Sequence, residues 1–495
     1  MGASVVAKQK RGRKRRRHKK QKYEDKPQGA KNTAPTKNAL QSLRGIGKRL
    51  VGFMSEYSAH FLIRGKDVSQ HAADYLSGLL GTYRRKNLEC IHGDIPESNY
   101  QAMQQFVSDS PWSQDNLMTQ VAGEVNGLLG GNRHSALLID ESSFVKKGDH
   151  SVGVQRQYCG RLGKKENCQL GVFACLGLGE KASVVDFRLF LPESWAQSPE
   201  RCEKAKIPEE QRQHRSKLEL ALDMVKAAQA RGLQFSWVLA DSAYGCSNEF
   251  CAEVENLGLY YMMDASMKAC VWDADPRPTL PPSQGKRGRP QTVCKAGSAQ
   301  AKRWKLTELL QERFAQCARE VVIRRTSQGE LRAKVWVGEV WVWEDRSAPP
   351  LARRIVAREM EGGEIKVSWT NAPKEMSDEE LAYMQGQRHW IERGFEDAKS
   401  QLGMADYEVR KWRGWHHHMA MVALAMLFLL KERAEHEQSA PLLSARDIVE
   451  LLAFYLPRRR RKEQEVISDL VRRHRQRQAA TNGHARRQQK KRLES

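Results

Sequence analysis

The chain has 495 residues, 40% hydrophobic and 29% charged, with a formal net charge of +24, so it can build a sizeable core in two to four domains and is expected to meet a polyanion. Its ten cysteines form no CxxC pair and no Cys/His zinc spacing, which argues against a zinc module and for small buried thiols in a reduced, intracellular protein. No apolar leader follows the early charges, and the longest apolar run, residues 419–430, is too short to span a bilayer.

The charge sits at the ends. Residues 1–20 and 458–495 each carry a net +10, leaving +4 for residues 21–457. Residues 1–38 therefore read as a basic tail and linker, too polar to fold alone and suited to nonspecific attachment to DNA phosphates. Over 39–130 the apolar positions recur at helical spacing, as in Leu40, Leu43, Ile46, Leu50 and Phe53, with breaks at Ser110-Pro111 and Gly130-Gly131. A helical domain is predicted there, for DNA binding or equally for packing or dimerisation.

The period then changes. Residues 135–139 form an apolar run that meets Asp140, and strand-like runs follow at 151–159, 169–178 and 184–191. A helix is predicted over 215–231, stopped by Gly232, and residues 235–240 are a second buried strand meeting Asp241. A strand meander, a helix and a returning strand, with acids closing the first and last strands, is the order of an RNase-H-like α/β core. Its first part is placed at 131–264 and its second at 379–435. Between them, residues 265–378 hold a Pro/Gly/Lys-rich loop and several period-two runs, which predict a mostly β insertion folding back over the site. Residues 412–432 read as an apolar helix on the sheet, and 436–495 as a last helix and a disordered basic tail.

In the second core part, Arg388, Glu392 and Lys399 fall within about 40° of one another on a helix of about 100° per residue, while Trp390, Ile391, Phe395, Ala398 and Leu402 line its apolar side. Alone, that stripe is ordinary surface ion pairing. Joined by Asp140 and Asp241, its glutamate completes three carboxylates, the oxygen donors that hard divalent cations take while phosphodiesters are hydrolysed or exchanged. Glu141, next to Asp140 on an extended strand, points to the opposite face.

Leu137-Leu-Ile-Asp140-Glu-Ser-Ser-Phe, Asn167-Cys-Gln-Leu-Gly171, Ala240-Asp241-Ser-Ala-Tyr244-Gly245 and Tyr407-Glu-Val-Arg-Lys-Trp together resemble the DDE transposases of prokaryotic insertion sequences. The similarity is to the branch with a Tyr-x-x-Arg-x-x-x-Glu-x-x-x-x-x-x-Lys signature, and to the insertion-sequence seven-oh-one group in particular. The resemblance implies Asp140, Asp241 and Glu392 as catalytic ligands of two Mg²⁺ ions, with Mn²⁺ able to substitute, and Arg388 and Lys399 as contacts to DNA phosphates. It further implies double-stranded DNA partners (element ends and target), a homodimer in the synaptic complex, a cytoplasmic and nucleoid-associated location, and no membrane. The signature's tyrosine falls on Gln385, which can still donate to a phosphate but lacks the ring. Lys147 and His150, after the first acid, are further candidate DNA contacts, and Trp341 and Trp343 are candidates to stack on an unpaired base. Of the consecutive His416, His417 and His418, at most one is expected to face the core or the DNA. The alternatives are a nuclease of the same fold without strand transfer, and a DNA-binding protein with an inert core.

Overall fold

A computed structural model describes residues 43–81, 85–280, 294–326, 329–343, 349–459 and 462–493; the N-terminal basic tail lies outside them. Five helices come first: α1 (Ile46–Glu56), α2 (Ser69–Gly81), α3 (Leu88–Asp94), α4 (Tyr100–Ser108) and α5 (Gln114–Leu129). The core strands follow as β1 (Ala136–Val145), β2 (Lys164–Leu178), β3 (Lys181–Leu189), β4 (Trp237–Ala240) and β5 (Tyr260–Asp264). In space they run β3-β2-β1-β4-β5. The β1–β2 and β2–β3 pairs are antiparallel, and the β1–β4 and β4–β5 pairs are parallel. This is the mixed sheet of an RNase-H-like fold. Residues 136–139 are buried in succession rather than alternately, as in a strand covered on both faces.

Helix α6 (Lys217–Ala230) crosses from β3 to β4. A capping box between Ser216 and Glu219 starts it, and Gly232, at φ +76°, turns the chain after it. Helix α7 (Asn248–Asn256) makes the next crossover, from β4 to β5.

The insertion holds α8 (Leu306–Cys317) and four long antiparallel strands, β6 (Arg319–Thr326), β7 (Gly329–Val342), β8 (Leu351–Glu359) and β9 (Ile365–Thr370). It does not fold back over the site as the sequence suggested. Instead β9 pairs antiparallel with β5, matching Ser368 to Asp264, and the core sheet continues sideways into a 12-stranded sheet. The physical reason is the edge of β5, whose peptide groups would otherwise lack partners.

Five helices close the chain: α9 (Asp378–Gln387), α10 (His389–Gln401), α11 (Trp412–Glu435), α12 (Ala445–Tyr455) and α13 (Glu463–Leu493). Every residue of α11 from Gly414 to Leu430 is buried, because β3 packs on one side of it and α2, α4 and α5 on the other. The N-terminal helices thus share one hydrophobic cluster with the sheet. This all-round cover also corrects the histidine expectation: all three are buried. His417 stacks on Trp112 at 3.8 Å between ring centroids, and His418 lies 2.7 Å from the Tyr75 hydroxyl. Burial lowers their pKa values, to about 3, 4 and 3 in order, so they stay neutral at pH 7. The expected disordered C-terminal tail is also different, since 463–493 is a helix. Its Gln, Arg, Lys, Glu and Ala residues are unbranched helix formers that need no core. Among the described residues no helix is long and apolar enough to cross a membrane.

Helix α11 approaches β2 closely at Gly171. A β-carbon there would lie 2.7 Å from the Phe173 ring and 2.9 Å from the Trp415 ring. Gly171→Ala is expected to destabilise the protein by about 1–3 kcal/mol through overpacking, read as a lower urea midpoint with an unchanged slope.

Candidate active site

Strand register decides where the acids stand. The β1–β4 pairing matches Leu138 with Leu239, and two residues further Asp140 and Asp241 come level. The β4–β5 pairing matches Ala240 with Met263, so the next step brings Asp241 level with Asp264. Because residues level in neighbouring strands share a face, three acids form a row across the sheet.

Asp140 is not the end of its strand. β1 runs on to Val145 because the long β2 keeps pairing with it, Asp140 opposite Phe173 and Val145 opposite Cys168. Its partner on the other side, β4, stops at Ala240, which opens the sheet beside Asp140. Asp241 caps the short helix Ser242–Gly245, its Oδ1 accepting from the Ala243 amide at 2.9 Å.

Phe173 identifies the face. It stands directly opposite Asp140 and meets Phe395 of α10 at 5.3 Å between ring centroids, so Asp140 points toward α10. Glu141 points the other way, where Lys217 of α6 donates to it at 2.7 Å. On α10, Glu392, Phe395 and Lys399 recur at helical spacing on the side that meets the sheet.

Arg388, at the junction of α9 and α10, reaches over the row of acids. Its Nε is 2.8 Å from Asp264 Oδ2, its Nη2 2.8 Å from Glu392 Oε1, and its Nη1 3.7 Å from Asp140 Oδ2. The Nε contact is an ion pair, since its N–H finds no aligned acceptor. Arg388 is 13% exposed, Asp140 18% and Asp264 15%, whereas Glu392 is 50% exposed, so the helix carboxylate is the one free to move. Burial would lower the Arg388 pKa, but Asp264, Asp140 and Glu392 more than offset it.

Burial pushes the Asp140 carboxyl up to about 7, against the pull of Arg388 and with a further push from Asp241 and Glu392. Lys399, whose Nζ lies 5.9 Å from the centre of the Phe395 ring, is held below its ordinary value by burial and by Arg161, while Asp140 opposes both. An all-carboxylate donor set suits a hard divalent cation. Among the described residues no three acidic, histidine or cysteine side chains yet gather closely enough to hold one; Glu392 is turned onto Arg388 instead. The chemistry of the donors fits, and their convergence needs Glu392 and Arg388 to part.

Several expected DNA contacts lie elsewhere. Gln385 is 1% exposed, and its Nε2 donates to the Val356 carbonyl at 3.0 Å and to Ser368 Oγ at 3.0 Å. It ties α9 to the insertion strands and has no face for a phosphate. Lys147 and His150 are exposed, but they follow the end of β1 at Val145, which lies on the order of 16 Å beyond Asp140 at the rise of an extended strand. Trp343 is buried against Trp272, with 5.9 Å between ring centroids, and half-buried Trp341 is paired through its backbone with Trp272. Trp343 and Trp272 thus form a structural aromatic pair, which leaves Trp343 no open face for a base. Asp264 escaped the sequence reading, although Tyr260-Tyr-Met-Met-Asp264 carries the same signal as the first two acids, an apolar run closed by a carboxylate.

Residues 62–330 match the DDE superfamily endonuclease family, and the chain belongs to that family. The matched stretch includes Asp140, Asp241 and Asp264 and ends before Glu392. A curated relative, a probable transposase for insertion sequence element IS701 from Microchaete diplosiphon, is 26% identical over 368 residues, 72% of this chain and 82% of the relative.

Because Gln385 is bound inside the fold, Gln385→Ala should cost about 1–3 kcal/mol of stability by stripping buried partners of their donor. DNA affinity, measured at a temperature where the variant is folded, should not change. A selective loss of DNA affinity would return Gln385 to the interface.

Proposed function

We propose that this protein is the transposase of an insertion sequence, cutting the ends of its element and joining their 3′-hydroxyls to target DNA through Asp140, Asp241 and Glu392. One observation carries the reading: the strand register brings Asp140 and Asp241 level on the face that α10 covers, with Glu392 presented from that helix. Family membership and the printed name of the relative support it.

In this mechanism Asp140, Asp241 and Glu392 would hold two Mg²⁺ ions, with Mn²⁺ as a substitute. Such ions when bound activate a water or a 3′-hydroxyl and stabilise the departing oxygen at phosphorus. The remaining work belongs to the chain's own groups. Asp140 and Asp241 are fixed by the sheet and supply pre-positioned oxygens. Glu392, half exposed and paired with Arg388, would leave the arginine to complete the set. Arg388 and Lys399 then turn their donors to the phosphates flanking the scissile bond, Arg388 by its planar fork and Lys399 as a point charge. The helices of 39–130 and the basic ends add contacts to duplex DNA. A homodimer holds two ends together, and the work takes place at the nucleoid, in the cytoplasm.

On labelled element-end DNA with Mg²⁺, Asp140→Ala and Glu392→Ala should each lose both cleavage and joining by more than the ~100-fold typical of disturbing an outer-shell metal partner. Both should keep wild-type affinity for the DNA. Cleavage without joining by the wild-type protein would favour the nuclease reading, and binding without cleavage the inert one.

The state of Asp140 sets the pH dependence. Its carboxyl is raised to about 7, so below that value it carries a proton and offers no anionic ligand, and above it the carboxylate is present. Mg²⁺ affinity of the DNA-free protein should therefore rise as pH passes upward through about 7, with proton release on binding. Isothermal titration in two buffers of different ionisation enthalpy measures that release. Binding that is flat across this range would contradict the role given to Asp140.

A further inference from the structure

Asp264 is a fourth carboxylate, level with Asp241 in the strand register, and the triad does not use it. It is well held. Ser368 Oγ donates to its Oδ1 at 3.0 Å, and Lys366 Nζ lies 3.2 Å from its Oδ2; both partners come from β9, the insertion strand that pairs with β5. The same Oδ2 meets Arg388 Nε at 2.8 Å, whereas the two Nη groups of that guanidinium face Glu392 and Asp140. One planar cation therefore has two sides with different partners: a fixed acid behind it, and in front the two acids that would hold the metal.

We propose that Asp264 is a positioning residue that seats Arg388, making the arginine the internal counter-cation of the metal-free site and, once a divalent cation takes Asp140 and Glu392, a phosphate clamp already in place. This rests on the metal reading given above. Two carboxylates beside a guanidinium cannot both turn to a divalent ion while it stays between them, so ion and arginine compete for Asp140 and Glu392. Asp264 weakens that competition by holding the Nε side through the exchange. Its own support from Lys366 and Ser368 gives the insertion a role at the site: β9 fixes the acid that fixes the arginine.

The test is Mn²⁺ binding to the DNA-free protein, followed by electron paramagnetic resonance, in the wild type, Asp264→Asn, Arg388→Ala and the double variant. Arg388→Ala removes the competitor and should bind Mn²⁺ more tightly. Asp264→Asn leaves the arginine wholly to Asp140 and Glu392 and should weaken binding by about tenfold, the lower range for an outer-shell partner. In the Arg388→Ala background the same change should cost no more than about threefold, because its effect runs through the arginine. An equal loss in both backgrounds would make Asp264 a direct ligand and overturn the proposal, as would Asp264→Asn binding like the wild type. Failure of the wild type to bind Mn²⁺ at all would instead sink the metal reading beneath it. If Asp264→Asn does not fold by circular dichroism, Arg388→Ala alone decides, and unchanged affinity in it overturns the competition. A second readout is joining by Asp264→Glu, which keeps the charge but moves the seat: kcat should fall while Mn²⁺ affinity stays near the wild-type value, and loss of both together would contradict the seating role.

Discussion

Arg388 meets three carboxylates at the middle of this sheet, Asp140, Asp264 and Glu392, with Asp241 in the same row, and this crowding of acids is the constraint on which the site depends. Asp140, Asp241 and Asp264 stand level because three neighbouring parallel strands fix them there, and Glu392 comes to them from α10. Taking carboxylates out of water is expensive unless a cation is near. Arg388 and Lys366 bring positive charge to them, and burial still pushes the Asp140 carboxyl up to about 7. A divalent ion would add positive charge among these oxygen donors.

The rest of the architecture keeps that cluster in place. β2 orients Asp140 toward α10 through the Phe173–Phe395 contact, while α6 draws Glu141 to the opposite face through Lys217. Helix α11, enclosed by β3 and the N-terminal helices, locks the elements beneath the site into one core. The insertion, placed edge-on rather than over the site, brings Lys366 and Ser368 to Asp264 and binds α9 through Gln385. A segment that interrupts the core in the sequence thus holds Asp264 and α9 beside the site.

Much of this could be read from the chain alone. Asp140 and Asp241 were legible because each follows an unbroken apolar run, which marks a strand buried on both faces. Glu392 was legible from its place on the polar stripe of an amphipathic helix. The same signal precedes Asp264, but a pattern of two strand-closing acids and a helical glutamate does not call for a third such acid. Other features depend on partners distant in the chain. Gln385 looks exposed on a helix wheel, and only the insertion strands covering α9 bury it. The three histidines spread around α11 would leave two outside on an ordinary surface helix, and this one has no outside. That β1 outruns Asp140 follows from the length of β2, which single-strand periodicity does not reveal. The C-terminal charges argued against a core, and a helix needs none.

In the proposed mechanism Arg388 holds the place of a divalent cation and yields it. The most direct measurement is the structure of the protein bound to Mn²⁺ and element-end DNA, with the metal located by its anomalous scattering. Metal is expected between Asp140 and Asp241 with Glu392 turned onto it, and Arg388 should keep Nε on Asp264 with its Nη groups on a DNA phosphate. Metal bound away from Asp140 and Asp241, or Arg388 still paired with Glu392 beside a bound ion, would contradict it.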